Sequence, residues 1–167
     1  MLNETIAKTL NEQINGELFS SYLYISMSAY FESISLDGCA KWMRLQAQEE
    51  LEHSIKIFNY INERGGRCVM ETIEKPQTEW DSPLHVFEDV VKHEQKVTAM
   101  INNLVDCAVE ERDHATRNFL EWFVAEQVEE EANVGAVCDK MRMVAGDSGG
   151  LFALDLELGK RVLHPDA

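Results

Sequence analysis

Apolar residues recur every three or four positions through four long stretches of the chain, the spacing that places them on one face of an α-helix. A serine-proline pair, Ser82-Pro83, marks the start of the third stretch, because serine caps helices and proline suits the first helical position. A short fifth helix is expected over about residues 150–161, after a glycine-rich hinge. The first, second and fourth long helices are predicted over about residues 5–33, 39–64 and 113–144, and the third begins at Pro83. The fold class predicted is therefore all-α.

The segment 67–81 shows no clear period between the second and third predicted helices. A helix of about 26 residues is about 39 Å long, whereas about 15 extended residues reach roughly 50 Å. The segment is therefore long enough to cross a whole bundle, which would make the second and third helices parallel. A plain surface linker is the alternative.

Each long predicted helix carries a glutamate inside its apolar face: Glu17, Glu50, Glu94 and Glu130. His53 stands three residues after Glu50 and so shares its helix face, a spacing that suits metal chelation. Burying about four negative charges together costs several kcal/mol for each isolated carboxylate, and two divalent cations would balance them. The sequence thus predicts a dinuclear site for iron, manganese or zinc. The alternatives are protonated acids with raised pKa values, or helices rotated to expose them.

Composition narrows the function classes. A formal net charge of -15 disfavours nucleic acid and anionic membrane surfaces as partners. Neither a basic leader followed by an apolar run nor an apolar stretch long enough to span a bilayer occurs, so a cytoplasmic location is expected. The four cysteines form no Cys-x-x-Cys pair, which excludes a zinc ribbon and a rubredoxin-like iron centre and predicts reduced thiols. One domain over 1–167 is expected, with the bundle at about 5–144.

Four motifs occur together along the chain, and each lies in or beside a predicted helix. They are Asn-Gly-Glu at 15–17 with Tyr24, Gln-Glu-Glu-Leu-Glu-His at 48–53, Glu-Trp-Asp-Ser-Pro at 79–83, and Phe-Val-Ala-Glu-Gln-Val-Glu-Glu-Glu at 123–131. On these motifs the chain resembles bacterial and archaeal non-haem ferritins over essentially its whole length. The resemblance implies a ferritin-like four-helix bundle with a long crossover and a short C-terminal helix.

The resemblance also implies an iron-oxidising centre. One iron would be held by Glu17, Glu50 and His53, and the second by Glu50, Glu94 and Glu130 near Gln127. A third, weaker site would use Glu49, Glu126, Glu129 and Glu130 and lead iron toward the interior of a shell. Tyr24 would be an electron donor or a hydrogen-bonding neighbour of the iron, with a packed core tyrosine as the alternative.

The function implied is iron storage and detoxification. Fe(II) would be oxidised by O2 or H2O2, and ferric mineral would be deposited inside a homo-oligomeric cage of twenty-four chains, with the C-terminal helix at a symmetry axis. No haem is expected, because Leu51 stands where bacterioferritins carry the haem-binding methionine. A di-iron oxidase or peroxidase that never mineralises is one alternative. A helical scaffold that binds structural zinc or manganese, or no metal, is the other.

Overall fold

The computed structural model describes residues 2–163, and this part of the chain contains five α-helices and no strand. None of these helices combines the length and the apolarity that a bilayer crossing requires. Residues 1 and 164–167, which belong to the predicted domain, lie outside the described residues. The all-α prediction is confirmed. The helices are α1 Glu4–Ser33, α2 Asp37–Glu63, α3 Pro83–Glu110, α4 His114–Met143 and α5 Ser148–Leu158.

Side-chain caps account for where three of the four long helices, α1, α3 and α4, begin. The first turn of a helix leaves backbone N–H groups without partners inside the helix. At α3 the Ser82 hydroxyl accepts from the His85 N–H at 3.2 Å, and Pro83 takes the first helical position. At α4 the Asp113 carboxylate accepts from the Thr116 N–H at 3.0 Å. The Ser82-Pro83 helix start predicted from the sequence is confirmed.

The segment between α2 and α3 runs along the surface of α1. Near one end, the Asn11 side chain donates to the Arg67 carbonyl at 3.2 Å and accepts from the Val69 N–H at 2.7 Å. Near the other end, the Ser26 hydroxyl donates to the Gln77 carbonyl at 2.6 Å. The two contact points on α1 are about 22 Å apart at 1.5 Å per helical residue. The long crossover predicted from the sequence is therefore present, and it is pinned to α1 by hydrogen bonds.

Hydrogen bonds between helices give their relative directions. Ser21 and Ser28 of α1 donate to the Ala47 and Ala40 carbonyls of α2, so numbering rises along one helix as it falls along the other. The same antiparallel order relates α1 to α3 and α2 to α4. For α1 and α3 the hydrogen-bonded pairs are Ser20–His93 and Asn3–Glu111. For α2 and α4 they are Gln46–Glu130 and Tyr60–Thr116. Helices α2 and α3, each antiparallel to α1, are consequently parallel to one another.

The apolar core of the bundle is divided into two clusters. One cluster lies toward the C-terminal end of α1 and includes Met27, Phe31 and Phe87. The other lies toward its N-terminal end and includes Leu10 and Ile57. Each long helix leaves one cluster and enters the other, and the interval between them is occupied by buried polar side chains. The two-part core thus positions a polar layer across the middle of the bundle.

Helix α5 begins earlier and ends earlier than the expected 150–161. It begins at Ser148 because the Asp147 side chain accepts from the Gly149 N–H and caps the first turn. It ends at Leu158, which leaves Arg161 outside the helix. The helix docks on the start of α2, where a buried Asp155 Oδ1 accepts from the Cys39 N–H at 2.8 Å. A carboxylate at a helix N-terminus is electrostatically favourable, so this contact attaches α5 to the bundle.

The close approach of α5 to α2 depends on Gly38. A Cβ atom at this position would lie 1.8 Å from the Asp155 carbonyl oxygen, a backbone atom that cannot rotate away. We expect Gly38→Ala to displace α5, to destabilise the chain by about 1–3 kcal/mol, and to expose the 144–150 segment to protease. Thermal unfolding and limited proteolysis measure both effects.

Gly135→Ala in α4 is the matched control, because nothing lies within 4 Å of its Cβ position. This change should leave the thermal midpoint unchanged or slightly raised, since alanine favours helix more than glycine. An identical midpoint and digestion pattern for Gly38→Ala and the natural chain would contradict the proposed docking.

Candidate metal centre

Five chemically active side chains occupy the polar layer between the two core clusters. Each side chain comes from the apolar face of its helix, so folding the amphipathic helices together necessarily brings it inside. All five are at most 4% exposed. They are Glu17 of α1, Glu50 and His53 of α2, Glu94 of α3 and Glu130 of α4.

Three of these side chains form a compact set of potential metal ligands. Glu17, Glu50 and His53 offer ligand atoms that all lie within 4.8 Å of one another, and residues 2–163 contain no other such group of His, Cys, Asp or Glu. His53 Nδ1 is 3.5 Å from Glu50 Oε2. Gln13 Nε2 donates to Glu17 Oε1 at 2.7 Å and orients that carboxylate. The fold thus brings together the three side chains that were expected at the first metal position.

Several atoms in this set are buried and have no hydrogen-bond partner among residues 2–163. They are Oε2 of Glu17, Oε2 of Glu50 and Nε2 of His53. Buried polar atoms are almost always satisfied, so unpartnered ones need an explanation. A cation bound among these oxygens and the imidazole would satisfy atoms that no donor in the described part of the chain reaches. Carboxylate and imidazole ligands without thiolate suit iron, manganese or zinc.

The remaining two carboxylates are held by neutral donors. Glu94 accepts hydrogen bonds from the Tyr24 hydroxyl and, at 3.3 Å, from Gln127 Nε2. Glu130 Oε2 accepts from Gln46 Nε2 at 3.0 Å. Neither carboxylate belongs to the 4.8 Å set. The predicted second metal position is therefore less tightly gathered than the first, although its carboxylates share the same layer.

The electrostatics of the layer follow from burial and from like charges. Burial, followed by the charges of Glu94 and Glu17, raises the pKa of Glu50 well above its usual range. Burial and the Glu130 charge raise the pKa of Glu94 to about 7, although Tyr24 and Gln127 oppose the shift. Burial likewise raises the pKa of Glu130. The layer resists carrying its full negative charge unless positive charge is supplied.

Tyr24 is fully buried and belongs to the layer as well as to the core. Its hydroxyl donates to Glu94, and its ring makes an edge contact with His93 at 6.0 Å between centroids. Burial and the charges of Glu94 and Glu50 raise its pKa, so the phenol keeps its proton. The structure therefore places Tyr24 in hydrogen-bond contact with Glu94, one of the expected metal ligands.

The residues expected for a third site are spread from the interior to the surface. Glu49 and Glu130 are buried, Glu126 is half-buried and Glu129 is exposed. Burial raises the pKa of Glu49 despite an opposing effect of Arg161, whose Nη2 donates to Glu49 Oε2 at 2.5 Å. A positive side chain thus already contacts one member of the expected set.

Sequence reasoning missed two glutamines that shape the centre. Gln13 and Gln46 each precede a layer glutamate by four residues, so helical spacing could have indicated them. Trp122 lies against His53 with ring centroids 5.3 Å apart, and Lys56 Nζ sits 3.3 Å from the Trp122 ring centroid. Nothing in the spacing connects Trp122 to His53, because the contact joins two helices that are distant along the chain.

Comparisons with known proteins agree with this architecture. Residues 7–144 match the model of the ferritin family, which describes a ferritin-like domain. A bacterial non-heme ferritin of Bacteroides fragilis is 45% identical over 161 residues, which cover 96% of this chain and all of the relative. One of Campylobacter jejuni is 38% identical over 155 residues, covering 93% of each chain.

Solved structures give the same result. An open-pore ferritin from the hyperthermophilic archaeon Archaeoglobus fulgidus superposes with a TM-score of 0.96 at 49% identity, covering 97% of this chain and 100% of the other. An engineered closed form of the same ferritin gives a TM-score of 0.97 at 49% identity and covers 98% and 100%. Together with the five-helix fold and its buried carboxylate layer, these matches show that the chain belongs to the ferritin family.

Proposed function

We propose that this chain oxidises ferrous iron in its polar layer and stores the ferric product inside a cage built from copies of itself. The observation that carries the proposal is the set formed by Glu17, Glu50 and His53, whose ligand atoms are buried, close together and partly without partners. Family membership supports iron as the metal. Iron is the substrate and the cargo in this proposal, and haem has no part in it.

The polar layer supplies a reason for iron to bind as a pair. Four ionised carboxylates carry four negative charges, and two ferrous ions would neutralise them without a net charge in the core. In this proposal Glu50 bridges the two ions. The first ion is held by Glu17, Glu50 and His53, and the second by Glu50, Glu94 and Glu130 beside Gln127. A third ion would use Glu49, Glu126, Glu129 and Glu130.

A pair of ferrous ions suits the chemistry of oxygen reduction. Two ferrous ions give two electrons to one O2, which takes up two protons and leaves as H2O2. When H2O2 is the oxidant, the same two electrons and two protons convert it to two molecules of water. Paired electron transfer avoids the one-electron products, which are superoxide from O2 and hydroxyl radical from H2O2. The Tyr24 hydroxyl donates a hydrogen bond to Glu94 and so orients a ligand of the second ion.

Storage requires a volume that one bundle does not enclose, so the proposal includes assembly into a cage of twenty-four copies. Exposed apolar side chains support a contact between copies on the α1 and α2 surface. These side chains, each 42–50% exposed, are Tyr22 and Ile25 on α1, and Leu51, Ile55 and Phe58 on α2. The three on α2 are spaced so that they share one face of the helix. The cytoplasm is the proposed compartment, in keeping with four unpaired cysteine thiols.

The first test adds ferrous iron to the purified, assembled protein in air. Ferric iron formation is followed optically, and size exclusion then shows whether the ferric iron elutes with the protein. We expect rapid oxidation and co-elution. Oxidation without retained iron would instead favour the non-storing oxidase, and a rate equal to that in buffer would leave only a structural role.

Variants of the layer make that test specific to the centre. Glu50→Ala removes the proposed bridge, and Glu94→Ala removes a ligand of the second ion. Both should lower the oxidation rate at least tenfold, and Glu50→Ala should also weaken Fe(II) binding measured anaerobically, because each lost ligand leaves a cation less well coordinated. Glu63→Ala, exposed on the same helix as Glu50, should match the natural chain. Unchanged metal affinity in both layer variants would contradict the proposed centre.

The raised pKa of Glu94 predicts how the stability of the metal-free protein depends on pH. The folded chain holds this proton up to about pH 7, whereas the unfolded chain releases it near pH 4.5. The contribution of the Glu94 proton to the free energy of unfolding is therefore fully present below about pH 4.5. It is lost as the pH rises through 7, which lowers the free energy of unfolding by about 3 kcal/mol. Glu50 and Glu130 act in the same direction.

Thermal midpoints of the metal-free protein should fall between about pH 5 and pH 8. Glu94→Gln, which cannot ionise, should show a smaller fall. A divalent cation should remove most of the difference, since it binds the ionised carboxylates. Parallel curves for the natural chain and Glu94→Gln would show that this carboxyl keeps an ordinary pKa.

Charged substitutions test the proposed contact between copies on the α1 and α2 surface. The double variant Ile55→Glu with Phe58→Glu places negative charges on the apolar face of α2 and should release smaller species on a sizing column. Ferrous oxidation should continue, because the polar layer lies within one chain, but ferric iron should no longer be retained. Val128→Glu, at an exposed apolar position of α4, is the control and should leave the assembly intact. A full-size assembly of the double variant would place the interface elsewhere.

A further inference from the structure

Arg161 brings a positive charge from the C-terminal segment into the bundle. Its Nη2 donates to Glu49 Oε2 at 2.5 Å, and the two side chains are 19% and 5% exposed. The guanidinium carbon lies 4.6 Å from the centroid of the Trp42 ring, and Nη1 is 3.5 Å from the Trp42 carbonyl oxygen. Trp42 and Glu49 are two turns apart on the same face of α2. The Arg161 side chain therefore spans this face and ends at a buried carboxylate.

The backbone that carries Arg161 is held in place by contacts of its own. Lys41 Nζ donates to the Gly159 carbonyl at 2.8 Å, just after α5 ends. Lys140 pairs with Glu157 at 2.6 Å on the other side of the helix. The arginine can thus leave Glu49 by side-chain rotation while α5 stays docked.

Glu49 lies where negative charge accumulates. It neighbours Glu50 in sequence, and the charges of Glu126 and Glu52 act on it. In residues 2–163, Arg161 is the cationic side chain that forms a salt bridge with it. A buried carboxylate needs such compensation, because an isolated buried charge costs several kcal/mol. The positive charge can come from this arginine or from a metal ion.

We propose that Arg161 is a built-in counterion that competes with iron for the Glu49 carboxylate, so that iron must displace the arginine to occupy the third site. The inference rests on the proposed function, because it concerns the site through which iron would leave the polar layer. It assigns to Arg161 a positioning role: the residue sets how tightly that site holds its ion.

The competition follows from geometry and charge. A metal ion bound to a carboxylate oxygen lies about 2.0–2.2 Å from it, and the guanidinium nitrogen already occupies the approach to Glu49 Oε2 at 2.5 Å. A divalent cation beside the guanidinium would also be repelled by its charge. Because Arg161 is partly exposed, its displaced head group can enter solvent, where hydration offsets the lost ion pair.

Competition of this kind would make the third site weaker than the dinuclear centre, whose four glutamates form no salt bridge with a lysine or arginine of residues 2–163. An iron bound weakly there would be passed on, and Arg161 would return to Glu49 after it leaves. The arginine thus gives the Glu49 carboxylate a positively charged hydrogen-bond partner between successive ions.

The test measures zinc binding to the assembled protein by titration calorimetry, since Zn2+ is not oxidised. Arg161→Gln removes the charge, and its third zinc should bind roughly tenfold more tightly than in the natural chain. Arg161→Lys keeps the charge and should restore weak binding. Lys41→Gln loosens the same segment without touching Glu49, so its third zinc should bind as in the natural chain.

A double-variant cycle assigns the effect to Glu49. In a Glu49→Gln background, Arg161→Gln should no longer change zinc affinity. An unchanged or weaker third zinc in Arg161→Gln overturns the inference while two tighter zinc ions remain bound. The absence of any bound zinc in the natural chain would instead overturn the proposed function, and this inference with it.

Discussion

The buried negative charge of the polar layer is the constraint on which the rest of this structure depends. Four helices each place a glutamate between two apolar clusters, and burial together with like charges raises the pKa of three of them. The apolar clusters on either side hold the helices together, so the carboxylates cannot separate without opening the core. The folded bundle thereby holds negative charge at its centre that needs a positive charge to balance it. Under the proposed function, this unbalanced negative charge gives the centre its affinity for cations.

The protein's own side chains stabilise this buried negative charge only in part. Gln13, Gln46 and Gln127 donate hydrogen bonds to layer carboxylates, and Tyr24 does the same, but all four are neutral. In the described part of the chain, no lysine or arginine forms a salt bridge with the four layer glutamates. Neutral donors orient the carboxylate oxygens of the layer but do not neutralise their charge. The positions of the ligand atoms are therefore fixed, whereas their negative charge is not balanced. The positive side chain nearest to this arrangement, Arg161, is placed one step outside it.

Much of this arrangement could be predicted from the sequence because it depends on local periodicity. Helix bounds follow from apolar spacing and caps, and the Ser82-Pro83 start is an example. The inward glutamates are visible because each interrupts an otherwise apolar helix face. The Glu50–His53 pair is visible because three residues bring side chains together on any helix. The length of the 67–81 segment even indicated the crossover, since it reaches farther than a helix of the bundle is long.

The sequence by itself thus determined the helices, their inward faces and the residue types available as ligands. Only the tertiary structure decided which contacts those faces make, because distances between helices depend on packing that no local pattern encodes. Packing gathered Glu17, Glu50 and His53 closely but left Glu94 and Glu130 held by other donors. It ended α5 at Leu158 and so freed Arg161 to reach Glu49, 112 residues away along the chain. Such long-range pairings arise when the whole chain is folded, and they decide the electrostatics of the centre.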